Sequence, residues 1–393
     1  VNKRIAIIIE RVDIALGGAE RSVSEVAAAL SATGLDVNII DAKGNRETKY
    51  VMILCKDIPG KRTSFFTFAS TLKKYFSRNH YDIIHSVLPF DFADIYQPRG
   101  GSVAETIERN AASYPNAFLR LYKRATAFTN CRRNLLLDAE KRLCEKPTGP
   151  VVAALSKYVE RQFSQHYNLN SERIVVIPNG VKTDKRINPT AADKLRMQIL
   201  AQPGIAKSNE PILMLFLANN FRLKGLVPLI KAMSIAASDD RANNCYLIVA
   251  GAGKSGKYRN LASSFGIEHR IVFLGPVRHI QNLFPIIDVA VLPTFYDPSS
   301  RFTLEAIAAG KPIITTAFNG ATDLFDDGRH GKIIQSPNDT TALADAILYY
   351  CNRDNIQSTS TAIIEDNLKQ KVSITRVAEQ LTKLYERILE GKK

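Results

Sequence analysis

The chain has 393 residues, 45% of them hydrophobic, with 53 Lys and Arg against 38 Asp and Glu for a formal charge of +15. That length suits two globular domains of roughly 150–200 residues each, and no apolar run approaches the ~20 residues of a membrane span. The five cysteines (Cys55, Cys131, Cys144, Cys245 and Cys351) are widely spaced, and no CxxC occurs, which argues against a disulfide framework or a zinc site. The positive charge asks for an anionic partner: a nucleotide, a phosphorylated acceptor or an acidic membrane face. Nucleic acid ranks last because no nucleic-acid motif accompanies the charge.

Arg4–Ile9 reads as a buried strand, too short for a signal-peptide core. The loop 10–18 follows and ends in LGGAER. Ala19–Leu30 is a helix with Val23, Val26, Ala27 and Leu30 on one face, stopped at Gly34. Gly17 and Gly18 let a phosphate approach the backbone, although a tight turn explains them equally and G-x-G-x-x-G is absent. Val37–Ile40 and Val51–Cys55 are strands. Ser64–Ser77 is a helix whose Phe65, Phe68, Leu72 and Phe76 recur at core spacing. The strand YDIIH (81–85) leads into a loop whose polar and permissive members are Asp91, Asp94, Arg99, Gly100 and Gly101.

Residues 117–146 set eight Lys and Arg among Phe118, Leu119, Leu121, Tyr122 and Phe128. Such a basic amphipathic helix suits an anionic bilayer surface, and equally a core helix with a solvated basic face. Val151–Leu155 is a strand, Ser156 caps the helix KYVERQF, and RIVVIPNG (173–180) is a strand ending in a turn. The polar run 182–202 is the expected linker. In the second half, the strand 211–217 precedes ANNFRLKGLVPLIKAM, where Arg222 and Lys224 stand before a helix. Two cations at a helix amino terminus invite a diphosphate. Strands follow at 246–253 and 271–277.

The stretch VAVLPTFYDPSSRFTLEAIAAGKPIITT (289–316) reads strand, loop, helix, strand, so its polar loop lies at a strand's carboxyl end, where open α/β sheets bind ligands. The backbone N–H groups of Phe302, Thr303 and Leu304 favour a phosphate there, and Glu305 suits sugar hydroxyls. This stretch resembles the nucleotide-sugar signature of retaining, two-Rossmann-domain glycosyltransferases (GT-B fold, family 4), an acidic residue and a Glu eight positions apart before "G-x-P-V/I". Here they are Asp297, where the family usually has Glu, and Glu305. The GG loop, RIVVIPNG and DGRHGKII (327–334) continue the resemblance, which is closest to bacterial transferases acting on lipopolysaccharide core.

The resemblance implies an α/β chain of two Rossmann-like domains facing across a cleft. Residues 1–185 would bind the acceptor, with a terminal helix 373–390 packing back on them, and 186–372 would bind the nucleotide sugar. It implies metal-independent transfer from a nucleoside-diphosphate sugar, expected to be a UDP-sugar, to a glycan or lipid-linked hydroxyl with retention. No cofactor is expected, and the enzyme would work in the cytoplasm, peripheral on the inner membrane face. Under it Glu305 holds the ribose, Lys224 and Arg222 the diphosphate, and Val277 the base. Asp297 positions the donor sugar, and Gly17 and Gly18 close over it. Asp94, or else Asp91, orients the acceptor. A non-catalytic sugar-binding relative and a nucleotide-sugar epimerase are the alternatives.

Overall fold

The computed structural model describes residues 2–11, 18–44, 47–58, 62–206, 208 and 210–392. They form two units. The first comprises Val1–Glu108, Leu121–Val181 and Ile374–Lys393; the second comprises Arg109–Arg120 and Lys182–Ser373. The sequence put the division at 185/186; the units divide at 181/182, and the short piece 109–120 clusters with the second.

The first unit is built on seven strands: β1 (Arg4–Ile9), β2 (Asp36–Asp41), β3 (Val51–Ile53), β4 (Ile83–Ser86), β5 (Ile95–Tyr96), β6 (Val151–Ala154) and β7 (Ile174–Val176). They pair in parallel in the order β3-β2-β1-β4-β5-β6-β7. A parallel sheet is covered on both faces, which is why β1 is apolar from Ile5 to Ile9 rather than alternating. Ile5, Ile7 and Ile9 face one core with Val23, Val26 and Leu30. Ala6 and Ile8 face the other with Ile40, Phe68 and Leu72. The terminal helix Ile374–Gly391 joins the first of these cores through Val377, Leu381 and Leu384. Its Tyr385 hydroxyl lies 2.7 Å from His85 Nδ1 on β4. Burial, seconded by the nearby Arg99 charge, lowers that imidazole to about 3 and keeps it neutral.

The second unit holds β8 (Ile212–Leu217), β9 (Cys245–Ala250), β10 (Ile271–Gly275), β11 (Val289–Leu292), β12 (Ile313–Thr316) and β13 (Gly331–Ile334). The order is β10-β9-β8-β11-β12-β13, again all parallel. Chain order reverses between β8 and β11. The carboxyl ends of these two strands therefore flank a switch point, the position where doubly wound sheets hold ligands.

Two expectations needed correction. The run 182–202 is no plain linker: Pro189–Leu200 is a helix with Asn188 as its cap and Pro189 in its first turn. The basic stretch 117–146 is two helices, Ala117–Ala125 and Cys131–Glu145, parted by a short 3₁₀ turn and recapped by Asn130. All five cysteines are free thiols. No helix among the described residues is long and apolar enough to cross a membrane.

Candidate functional site

The loops after β8 and β11 meet in the second unit through backbone as well as side chains. Phe295 N–H donates to Leu223 O at 2.9 Å. Gly225 has φ 84°, and a Cβ there would come within 1.9 Å of Pro293 O, so only glycine lets the two loops approach this closely. Immediately before it, Lys224 Nζ donates to Tyr296 O at 2.8 Å and to Asp297 Oδ2 at 2.7 Å. An ammonium carries three N–H donors. Two hold the side chain in place; the third has no partner among the described residues. The helix Leu226–Ala236 starts directly afterwards with no side-chain cap on its amino end, adding its partial positive charge to the same place.

The β11 loop is itself locked. Asp297 N–H donates to Phe318 O at 2.9 Å, and Asp297 O accepts from Gly320 N–H at 2.8 Å. Asp297 Oδ1 accepts from Ser299 N–H at 3.2 Å. Asn319, fully buried, accepts from Ser300 N–H at 3.2 Å and donates to Thr303 Oγ1 at 2.9 Å and Thr315 Oγ1 at 3.0 Å. Ser300 caps the helix Arg301–Ala308. The Asn319 side chain thus ties the loop that carries Asp297 to the helix that carries Glu305. Glu305 is buried; Lys185 Nζ donates to its Oε1 at 2.7 Å, with an Arg301 guanidinium nitrogen 3.7 Å away. Its Oε2 has no hydrogen-bond partner among the described residues.

The sequence-derived residues fare unequally. Lys224 and Asp297 are brought together, but both Asp297 oxygens are engaged within the protein, so it serves as the anchor of Lys224. Glu305 follows in the helix of the same loop. Of the three amides expected to meet phosphate, Thr303 N–H is taken by Ser300 Oγ at 3.3 Å and Leu304 N–H by Ser300 O at 3.1 Å. Only Phe302 N–H has no such engagement among the described residues. Val277 lies in the loop after β10, the outer strand of the sheet.

Arg222 is drawn away from the diphosphate role. It donates to Asn110 O at 2.9 Å, to Asn110 Oδ1 at 2.6 Å and to Ser113 Oγ, and its guanidinium lies 3.9 Å over the Tyr114 ring. It fastens residues 109–120 to the second unit, as does Arg109, 4.0 Å over the Phe318 ring.

In the first unit Asp94 is also a correction. It stands just before β5, at the amino edge of the sheet, opposite the carboxyl edge where ligands bind. Its Oδ2 accepts from Ile84 N–H at 2.7 Å, and its Oδ1 pairs with Lys392. Asp91 is exposed and pairs with Lys146, whose donated hydrogen bond holds the carboxyl below its usual range. Gly18 opens the helix Gly18–Ala32 and is exposed; Gly17 lies outside the described residues. Lys185 and Asn319 were missed as site residues. Asn319 caps the short 3₁₀ turn Gly320–Leu324, whereas nothing local marks Lys185.

Residues 16–185 match the family described as Glycosyltransferase Family 4, and residues 211–353 match Glycosyl transferases group 1. Lipopolysaccharide glucosyltransferase WaaG of Escherichia coli is 26% identical over 175 residues, covering 44% of this chain and 46% of that protein. The chain spans about half the length of the curated relatives it matches. The crystal structure of WaaG superposes with a TM-score of 0.74 at 18% identity, over 97% of this chain and 99% of that one. Anabaena HepE in complex with UDP and glucose gives 0.70 at 18%, over 98% and 100%. At these identities the superpositions speak for the fold alone, two Rossmann-like α/β domains of GT-B type.

Proposed function

Matched along both of its units, the chain belongs to the GT-B glycosyltransferases of family 4, and we propose that it moves a sugar from a UDP-sugar to a hydroxyl of a glycan or lipid-linked acceptor, with retention and in cell-surface polysaccharide or lipopolysaccharide synthesis. The observation that carries this reading is Lys224, pinned at the β8/β11 switch point with one N–H to spare beside an uncapped helix terminus. As the anomeric bond breaks, negative charge builds on the leaving diphosphate, and fixed donors stabilise it without reorganising. Glu305 Oε2 accepts the ribose hydroxyls while Lys185 and Arg301 hold its other oxygen. The cationic side chain and helix dipole supply the charge that a metal would otherwise provide. The leaving phosphate takes the acceptor proton on the same face, so no protein base is required.

A nucleotide panel tests this. UDP should raise the melting temperature more than GDP or ADP, in steps that follow RT ln(1 + [L]/Kd), and the matching sugar nucleotide should be turned over. Stabilisation by none of the three would remove the donor reading.

A lipid-borne acceptor brings the enzyme to a membrane, and the exposed face of Ala117–Thr129 suits that task. Phe118, Leu121, Tyr122 and Phe128 are 76%, 68%, 51% and 72% exposed beside Arg120, Lys123, Arg124, Arg132 and Arg133. Vesicles containing anionic lipid should carry the protein in flotation at low salt and release it at high salt. Phe118→Ser with Phe128→Ser should abolish flotation. Retention by purely zwitterionic vesicles at any salt would count against an electrostatic contact.

A further inference from the structure

Two cysteines that stand far apart in the sequence meet in the second unit. Cys245 opens β9 and is buried, while Cys351 follows the helix Thr340–Tyr349 and is half-buried. Both segments dock on the start of β8. Arg353, two residues after Cys351, donates to Pro211 O at 3.2 Å. Ile212 N–H donates to Asn244 O at 2.7 Å, and Ile212 pairs in register with Cys245. The two side chains meet there, with the Cys245 S–H donating to the Cys351 sulfur.

The surroundings divide the pair into unlike members. The hydrogen bond from Cys245 lowers the Cys351 thiol from its ordinary value; burial and Asp239 oppose this, and Arg241 and Arg270 assist it. The same hydrogen bond, with burial, pushes Cys245 well above that value, so it keeps its proton. Cys144 shows what burial does to a cysteine without a thiol donor: with the Glu140 charge beside it, burial pushes it up to about 12. A thiolate beside guanidiniums, partly open to solvent and touching a second thiol, is the arrangement of an attacking and a resolving cysteine.

We propose that Cys245 and Cys351 are a modification site, closing a reversible disulfide when the chain meets a hydroperoxide. The Cys351 thiolate attacks the outer peroxide oxygen. An S–O bond forms, the O–O bond breaks, and the leaving oxygen takes the proton that Cys351 gave up. The Cys245 sulfur then attacks the Cys351 sulfur. The S–S bond forms, the S–O bond breaks, and hydroxide leaves with the Cys245 proton as water. Two thiols lose two electrons, and the peroxide gains them to give water and an alcohol, or two waters from hydrogen peroxide. In a reducing compartment such a pair stays open until oxidant rises. Cys245 lies at the amino end of its strand, whereas Lys224 and Asp297 follow the carboxyl ends of β8 and β11. The bond therefore closes a loop of about 100 residues without touching that site, and stabilises the unit by restricting its unfolded chain.

The test treats the full chain with hydrogen peroxide, alkylates the remaining thiols and maps the peptides without reduction. A Cys245–Cys351 cross-link within one chain is expected, with Tm raised by about 5–15 °C and returned by dithiothreitol. Cys351→Ser should abolish the cross-link and the rise. Cys245→Ala should leave a sulfenic acid on Cys351 that dimedone traps. Cys245 is buried, so if that variant does not fold, the half-buried Cys351→Ser decides alone. Cys131→Ser, at an exposed position, should behave as the parent chain. Full alkylation of Cys245 and Cys351 after Cys131 has oxidised would overturn the proposal. So would a cross-link from either residue to Cys131, oxidation of Cys351 beyond the sulfenic acid with no cross-link, or a Cys245–Cys351 bond that leaves Tm unchanged. None of these readouts uses a nucleotide or a sugar, so the transferase reading and this one can fail separately.

Discussion

Lys224→Ala should lower kcat for sugar transfer by about 10²–10³-fold, the usual cost of deleting one preorganised donor to developing charge. The effect belongs mainly in kcat, because the leaving diphosphate is more negative in the transition state than in the bound donor. The alternative role for Lys224 is purely structural, as the counter-charge of Asp297 at 2.7 Å. A double-mutant cycle with Asp297→Asn separates the two. If the lysine only neutralises the aspartate, the pair of changes restores both stability and turnover. If it serves the diphosphate, the double variant regains stability and stays inactive. Wild-type kinetics in Lys224→Ala would remove the residue from the site.

Gly225→Ala should be the most damaging single methyl in the second unit. A left-handed φ costs an L-residue roughly 1–2 kcal/mol. Here the new Cβ would also meet Pro293 O at 1.9 Å, a backbone atom that cannot swing aside. A total of about 3 kcal/mol or more is expected, a fall in Tm of about 6–12 °C for a unit of this size. Gly310→Ala is the internal control: its φ is 71°, yet the nearest atoms are side-chain carbons of Ile364 at 3.8 Å and beyond, so it should show the strain without the collision. Equal losses in the two variants would show that the close approach of the β8 and β11 loops carries no weight.

Much of this was legible in the amino-acid order. The strands announced themselves because parallel sheets bury both faces, giving unbroken runs such as RIAIII and CYLIVA. Lys224, Asp297 and Glu305 were legible because each sits beside a strand end or a helix start. The failures have physical causes. Asp94 was read as facing a ligand because it follows a strand, but residues 87–94 carry the chain from the carboxyl end of β4 back to the amino end of β5. So short a return has no periodicity to betray it. Arg222 looked like a second phosphate ligand until its partners, 109 and 112 residues earlier, were seen. Lys185 meets Glu305 across 120 residues, a pairing no local pattern encodes. The helix Pro189–Leu200 did leave a mark, Asn188-Pro189, that its polar composition concealed.

The chain passes from one unit to the other at 108/109, 120/121, 181/182 and 373/374. No single cut therefore yields two self-sufficient halves. A fragment starting at Lys182 would leave the Arg222 guanidinium and the Phe318 ring bare, having lost residues 109–120. A fragment ending at Val181 would lack Val377, Leu381 and Tyr385 from its interior. Engineering that swaps donor specificity by exchanging lobes between relatives must graft the 109–120 strap and the final helix with their rightful bodies, or produce insoluble hybrids.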